Sequence, residues 1–201
     1  CFLSVLIMTQ ACSQNKDNKI RKVGGGCDGC EAMFEGVPSS VSWETKLGTI
    51  AEPGEPMIIN GTIYQRDGKT PAPDILLYVY HTDNKGLYSP APKQTTGTRH
   101  GHLRGWMKTD SQGRYQFSSI RPVSYPNSKA PQHIHPLIKE PMTSLYWIDE
   151  YLFDDDPFLT KEEQSKQQKR GGSGIIHLTK NEKGVWIGRR DIVLGMNVPD
   201  Y

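Results

Sequence analysis

The sequence predicts an all-β domain, folded as a sandwich, with an irregular arm ahead of it and one short exposed helix. Three observations carry that reading. Glycine (20) and proline (14) are abundant in 201 residues, and hydrophobic residues make up 35%, a balance that suits a loop-rich β domain better than a helical bundle. Short β-branched and aromatic runs recur between turn signals. A helix start signal occurs in a single stretch. The net charge of +2 is too small to argue for nucleic acid as a partner, and no RNA-binding or helix-turn-helix signature is present.

The N-terminal run CFLSVLIMTQAC has the apolar length of the central region of a signal peptide and is too short to span a bilayer. Small Ala11, then Cys12 and the polar SQNKDNK, resemble a bacterial lipoprotein cleavage site. That resemblance implies that residues 1–11 are the remainder of a signal, that Cys12 carries lipid, and that the protein is exported to the periplasmic or cell-surface side. The membrane would be met through that anchor alone. A buried N-terminal strand is the competing reading. Residues 13–26, polar and then glycine-rich, read as a tether. Residues 27–56 read as an irregular arm, and 57–201 as the sandwich. With Cys1 in the leader and Cys12 in the anchor, Cys27 and Cys30 of GGGCDGCEAMFEG remain. A single CxxC is half a zinc-ribbon site with no second pair, and this glycine-rich stretch lacks the strand–helix context of a thioredoxin-type motif. A local disulfide is expected, in keeping with an oxidising compartment; redox chemistry is the alternative.

From Met57 the pattern becomes regular. MIINGTIYQRDG alternates into a turn signal, and ILLYVYHTDNKG is an apolar run closed by Asp-Asn-Lys-Gly. GWMKTDSQGRYQFSSI reads as a hairpin turning at Asp110–Gly113, and HIHPLIK, GIIHLTK and VWIGRRDIVLG supply further strands. The helix is placed by Thr160 as N-cap with Glu163 three residues on, a capping-box pattern. EEQSKQQK has no apolar stripe, so the helix should lie exposed and end before Gly171-Gly172.

The chemistry is concentrated in SYPNSKAPQHIHP, residues 124–136. On a strand, His133 and His135 point to one face and can address one ion. Alternating histidines on a strand are also common polar surface, so the pair needs support. Tyr125 lies in a Pro/Ser-rich loop able to turn back over that strand, and Tyr88 in KGLYSP occupies a similar position after the longest apolar run. Phenolates are hard anionic donors and imidazole a borderline one, a set suited to a trivalent ion such as Fe(III) more than to Zn(II). A ferric ion would have to hold deprotonated a phenol whose free pKa is near 10.

These residues, within GLYSP and HGHLRGWMKTDSQGRYQFSSIRPVSYPNSKAPQHIHP, resemble the intradiol ring-cleavage dioxygenases, nearest the protocatechuate 3,4-dioxygenase branch. GTIYQRDGKTPAPDILLYVYHTDNKG, YWIDEYLFDDDP and GGSGII…RRDIVLG are similar too, so the resemblance spans about residues 57–201. It implies a transthyretin-like intradiol dioxygenase β-sandwich with one mononuclear non-haem Fe(III) per chain. Tyr88 and His133 would be its equatorial ligands, Tyr125 and His135 its axial ones. A catechol would then bind through both oxygens and displace Tyr125, the catalytic residue that takes a substrate proton. With O2 as second substrate, both oxygen atoms enter the product, a muconate-type diacid.

The chain departs from that pattern at Ala130, where the family commonly has an arginine three residues before the paired histidines. Lys129 and Gln132 are the neighbouring substitutes, though lysine lacks the planar fork. His100 and His102 form a second HxH, and with Arg104 and Arg121 they are candidates to line a substrate pocket; plain surface roles compete for all four. Asp154–Asp156 reads as a solvated acidic turn more than a Ca2+ or Mg2+ loop, His177 as structural, and Trp106, Trp147 and Trp186 as core. Two other readings stay open: a transthyretin-like module that binds ferric iron or catecholates without turnover, and an enzyme using a divalent metal at the HxH pair. A homo-oligomer is compatible with the arm crossing to a neighbour.

Overall fold

The computed structural model describes residues 19–49 and 51–201; Cys1 and the anchor candidate Cys12 lie outside them. Two sheets pack face to face. The first runs β1 (Glu44–Lys46), β5 (Arg114–Ile120), β2 (Pro56–Tyr64), β11 (Trp186–Arg189), β10 (Leu178–Lys180), with β12 (Ile192–Val193) also on β2. The second runs β4 (Arg104–Lys108), β3 (Leu76–His81), β6 (His133–Lys139), β8 (Tyr151–Phe153), β9 (Ile175–Ile176), with β7 (Tyr146–Trp147) on β6. Alternation in β2 and β5 sends Ile59, Ile63, Tyr115 and Phe117 inward, where they meet Leu77, Val79, Ile134 and Ile138 from the second sheet. This is the expected sandwich.

β3 is apolar on both faces for a physical reason. Its outer residue Tyr78 joins Leu137, Cys30 and Met33 in a second buried cluster, so the arm lies across the outside of the second sheet. Trp106 Nε1 donates to Met33 O at 2.7 Å, and Arg104 donates to Ala32 O at 3.1 Å. Cys27 and Cys30 form a disulfide pair with Cα atoms 5.6 Å apart, at the start of a 3-10 turn over Cys30–Phe34. The arm is not wholly irregular, because β1 pairs in parallel with β5. Nor is residues 13–26 a free tether throughout. Val23 is buried, Arg21 N donates to Met142 O, and Gly24 N to Pro199 O.

Two elements differ from expectation. The Asp110–Gly113 turn forms, with Gly113 N bonded to Asp110 O at 2.9 Å, but it does not close a hairpin. β4 pairs with β3 and β5 with β2, so Met107 and Phe117 reach the interior from opposite sheets. The turn is a corner. The helix α1 spans only Lys161–Ser165. Thr160 Oγ1 accepts from Glu163 N at 3.2 Å, while the Glu163 carboxylate binds Lys166 instead of returning to the cap. With no apolar face to dock, the chain leaves the helix and is drawn to the sheet, where Asp149 accepts from the backbone N–H of Lys169 and Arg170.

His81, 1% exposed, is held neutral between the sheets. Its Nδ1–H donates to Thr82 O at 2.7 Å and its Nε2 accepts from Ser119 Oγ at 2.8 Å. Burial drives its pKa down to about 4, against a raising effect from the Thr82 bond. The unfolded chain takes up a proton below about 6.5 that the fold refuses until about 4, so stability falls as pH drops through that window. Denaturant titrations of metal-free protein should show stability falling between pH 7 and pH 5, and His81→Gln should remove about 2 kcal/mol of that loss. An equal slope in that variant would assign the effect elsewhere.

Candidate metal centre

The first two positions of interest on β6 are His133 and His135, opposite Leu152 of β8 and Tyr80 of β3 respectively. Their side chains share a face, as strand geometry requires. The tyrosines come from two loops tied to each other. Asp83 folds the first, accepting from Lys85 N, Leu87 N and Ser89 Oγ at 2.8, 3.0 and 2.6 Å. Thr82 Oγ1 donates across to Val123 O of the second at 2.6 Å. Gly86, at φ +75, lies so close to Ser124 that a Cβ would sit 2.2 Å from its carbonyl oxygen, so only glycine permits this approach.

The result is a continuous run of four donors. His135 Nε2 lies 2.9 Å from Tyr88 OH, Tyr88 OH 2.8 Å from Tyr125 OH, and Tyr125 OH 2.9 Å from His133 Nε2. His133 Nδ1 is committed to Pro131 O at 2.6 Å, and His135 Nδ1 faces Glu150 Oε1 at 3.3 Å. Both Nε2 lone pairs are thereby turned toward the phenols. Burial raises the pKa of Tyr88, with Tyr125 adding to it, and burial likewise raises that of Tyr125. Burial and then His135 lower that of His133.

Counting hydrogens tests whether a cation fits. Three short contacts need three hydrogens, yet two neutral imidazoles and two phenols supply only the two phenolic ones. The set is one positive element short, which an extra proton or a metal cation supplies. Donors about 2.0–2.1 Å from one ion and at right angles to each other stand about 2.9 Å apart, as these do. Two phenolate oxygens then favour a trivalent ion. Ferric iron fits this donor set.

Glu150 was not singled out by the sequence. With His133 and His135 it completes a trio whose ligand atoms lie within 4.8 Å of one another. Its contact with His135 Nδ1 makes it an orienting partner, and burial, which opposes ionisation, is outweighed by that histidine so that its pKa is lowered. The only hint was a pair of carboxylates, Asp149 and Glu150, inside the otherwise apolar YWIDEYLF run. Behind it, Arg190 Nη1 donates to Asp149 O at 2.7 Å and fixes the segment.

Two cavities flank the centre. One, of about 520 Å³, is lined by Tyr125, Lys129, Ala130, His133, Glu150 and Gln167 among others. The second, of about 350 Å³, lies beneath the Cys27–Cys30 disulfide and Trp147. Of the pocket candidates only Lys129 lines either cavity. His100 is buried, stacked on Tyr80 at 3.7 Å and bonded to Tyr78 OH at 2.9 Å, with burial holding its pKa down to about 4. His102 pairs with Glu52 at 2.8 Å, and Arg104 grips the arm. Arg121 is taken by Asp155 at 2.6 and 2.8 Å and by Gln132 at 2.8 Å, which removes Gln132 as well. Asp156 accepts from Gln132 N and Phe158 N and Asp154 faces His177 at 2.8 Å, so the acidic turn spends its carboxylates on structure. Trp106 and Trp147 pack against the second apolar cluster and Trp186 against the first; Trp147 also borders a cavity.

A family model described as "Dioxygenase" matches residues 38–171. The chain belongs to the intradiol dioxygenase family. Among its relatives, catechol 1,2-dioxygenase 2 of Acinetobacter lwoffii is 29% identical, over 58% of this chain and 49% of the relative. Catechol 1,2-dioxygenase of Acinetobacter baylyi is 27% identical, over 63% and 47%. The intradiol dioxygenase chain thus spans about half the length of the curated relatives it matches. Among solved structures, the dioxygenase domain of a carbohydrate-binding fusion from Streptomyces sp. SirexAA-E superposes with a TM-score of 0.56 at 20% identity, covering 78% of this chain and 90% of that one. Acinetobacter radioresistens catechol 1,2-dioxygenase gives 0.59 at 18%, covering 79% and 58%. Both support the intradiol sandwich fold.

Proposed function

We propose that this chain is a non-haem Fe(III)-dependent intradiol dioxygenase that opens a catechol-type ring with O2 to a muconate-type diacid. The observation that carries the proposal is the run of four donors, two phenols between two imidazoles, closed on one side by Pro131 and on the other by Glu150. Tyr88, Tyr125, His133 and His135 would hold the iron. Bound there, the iron would supply Lewis acidity toward the chelating substrate oxygens. The protein's own contributions are separable. Pro131 and Glu150 fix the imidazole tautomers, and the sandwich holds Tyr88 against β6. Tyr125, on the outer loop, receives a substrate hydroxyl proton. The cavity beside Ala130 leaves room for the ring next to Tyr125.

The test is oxygen uptake by iron-loaded protein against a catechol panel, with product mass reporting whether both oxygen atoms enter. Coloured protein whose spectrum shifts with catechols but consumes no oxygen would replace this reading with a binding module. We also propose that Cys12 anchors the protein to a membrane after export. The support is the Ala11-Cys12 junction and its polar continuation. Mass spectrometry of protein from the native host should find an acylated N-terminal Cys12, and an unmodified one would dismiss the anchor.

A further inference from the structure

β6 begins at the metal centre with His133 and ends at Lys139, about 20 Å away at the rise of a strand. Beyond that far end, the segment around Arg21 pairs in parallel with Thr143. Arg21 N donates to Met142 O at 2.9 Å, and Ser144 N to Arg21 O at 2.7 Å. In such a pair the side chains alternate from one side to the other. Thr143 is buried, so Ile20 and Met142 stand next to each other on the outward side, 56% and 47% exposed. Cations surround them. Lys19 and Lys22 are exposed and form no ion pair among the described residues. Arg21 and Arg66 lie 4.7 and 5.7 Å from the centre of the Tyr201 ring. Of the carboxylates here, Glu140 is turned in to the hydroxyls of Tyr146 and Tyr201, and Glu31 and Asp200 line a hollow with Lys22. The cations remain in excess.

Exposed apolar side chains among cations suit a bilayer surface, where the former enter the acyl boundary and the latter meet anionic headgroups. Cys12 precedes this face closely in the chain. Even fully extended, the stretch from Cys12 to Ile20 reaches only about 29 Å, so a lipid on Cys12 would hold the domain to the membrane from this end. Resting in part on the proposed anchor, we infer that this face docks on an anionic lipid surface, with Ile20 and Met142 at the acyl boundary and the metal centre turned to the aqueous side. The membrane is then met by the domain as well as by the anchor.

The full chain carrying Cys12→Ser, which cannot be acylated there, is titrated with vesicles of phosphatidylcholine alone and of phosphatidylcholine mixed with phosphatidylglycerol. Residues 1–11 carry no charged side chain, so they add equally to both. Binding should be at least about tenfold tighter on the anionic vesicles, and Lys19→Glu with Lys22→Glu should cut that ratio at least about fivefold. Lys85→Glu with Lys161→Glu makes the same charge change on exposed residues, in the Tyr88 loop and in α1, and should leave the ratio within about twofold. Ile20→Asn should weaken binding to both kinds of vesicle. On anionic vesicles, amide hydrogen exchange should slow at residues 19–22 and 142–144 and hold steady at 125–135. Equal binding to both vesicles, an equal loss in the two lysine pairs, unchanged binding in Ile20→Asn, or protection at 125–135 overturns the inference. The anchor is judged separately, by acylation of Cys12 in protein from the native host.

Discussion

Tyr88→Phe should abolish ferric binding and lower ring cleavage by a thousandfold or more. The variant keeps the ring and loses only the oxygen that stands between His135 Nε2 and Tyr125 OH. Two of the three short contacts disappear together, and one of two hard anionic donors goes with them. What remains is one phenol and two imidazoles, a set closer to that of divalent zinc or copper sites. The fold should survive, since Tyr88 is half-buried in a loop whose shape is set by Asp83. The measurement is iron content after loading and desalting, together with the visible phenolate-to-iron absorption. Full colour and full iron in Tyr88→Phe would remove Tyr88 from the ligand set.

Glu150→Ala should weaken iron binding by roughly 10- to 100-fold, the usual cost of deleting a group that orients a metal-ligating histidine. His135 would then have no carboxylate at Nδ1, and its ring could rotate or shift its tautomer away from the centre. Glu150→Gln keeps an acceptor at the same place and should lose less. A competition titration with a ferric chelator separates the outcomes. Equal affinity in Glu150→Ala and the unmodified protein would show that the contact is incidental. If instead affinity for a divalent ion collapsed and ferric binding held, Glu150 would be a ligand in a His133–His135–Glu150 site of another kind.

The parts of this site that were legible in the sequence are those fixed locally. The alternation of His133 and His135 places both on one strand face, and the turn signals put Tyr88 and Tyr125 in loops. That the loops converge on β6 was readable only through family resemblance, because Thr82, Val123 and Gly86 join them over some 40 residues of chain. Glu150 escaped notice because nothing near it in sequence says that β8 lies beside β6. Arg121 and Gln132 looked like pocket residues for the converse reason: Asp155, which binds Arg121, and Asp156, which binds Gln132 N, are distant in the chain. The corner at Asp110–Gly113 shows the same limit in the fold. A tight turn between two apolar strands specifies that the chain reverses, and it does not specify whether the strands pair with each other or with opposite sheets.

On the proposed function, two phenolate oxygens and two imidazole nitrogens enclose one trivalent iron. The most direct measurement of that claim is a titration of metal-free protein with ferric ion, followed by visible absorption and by the protons released. One ion per chain should bring up the phenolate-to-iron band, saturate at equivalence, and release protons as both buried phenols ionise. Saturation at one equivalent with no band, or a band that persists when both Tyr88 and Tyr125 are replaced by phenylalanine, would contradict it.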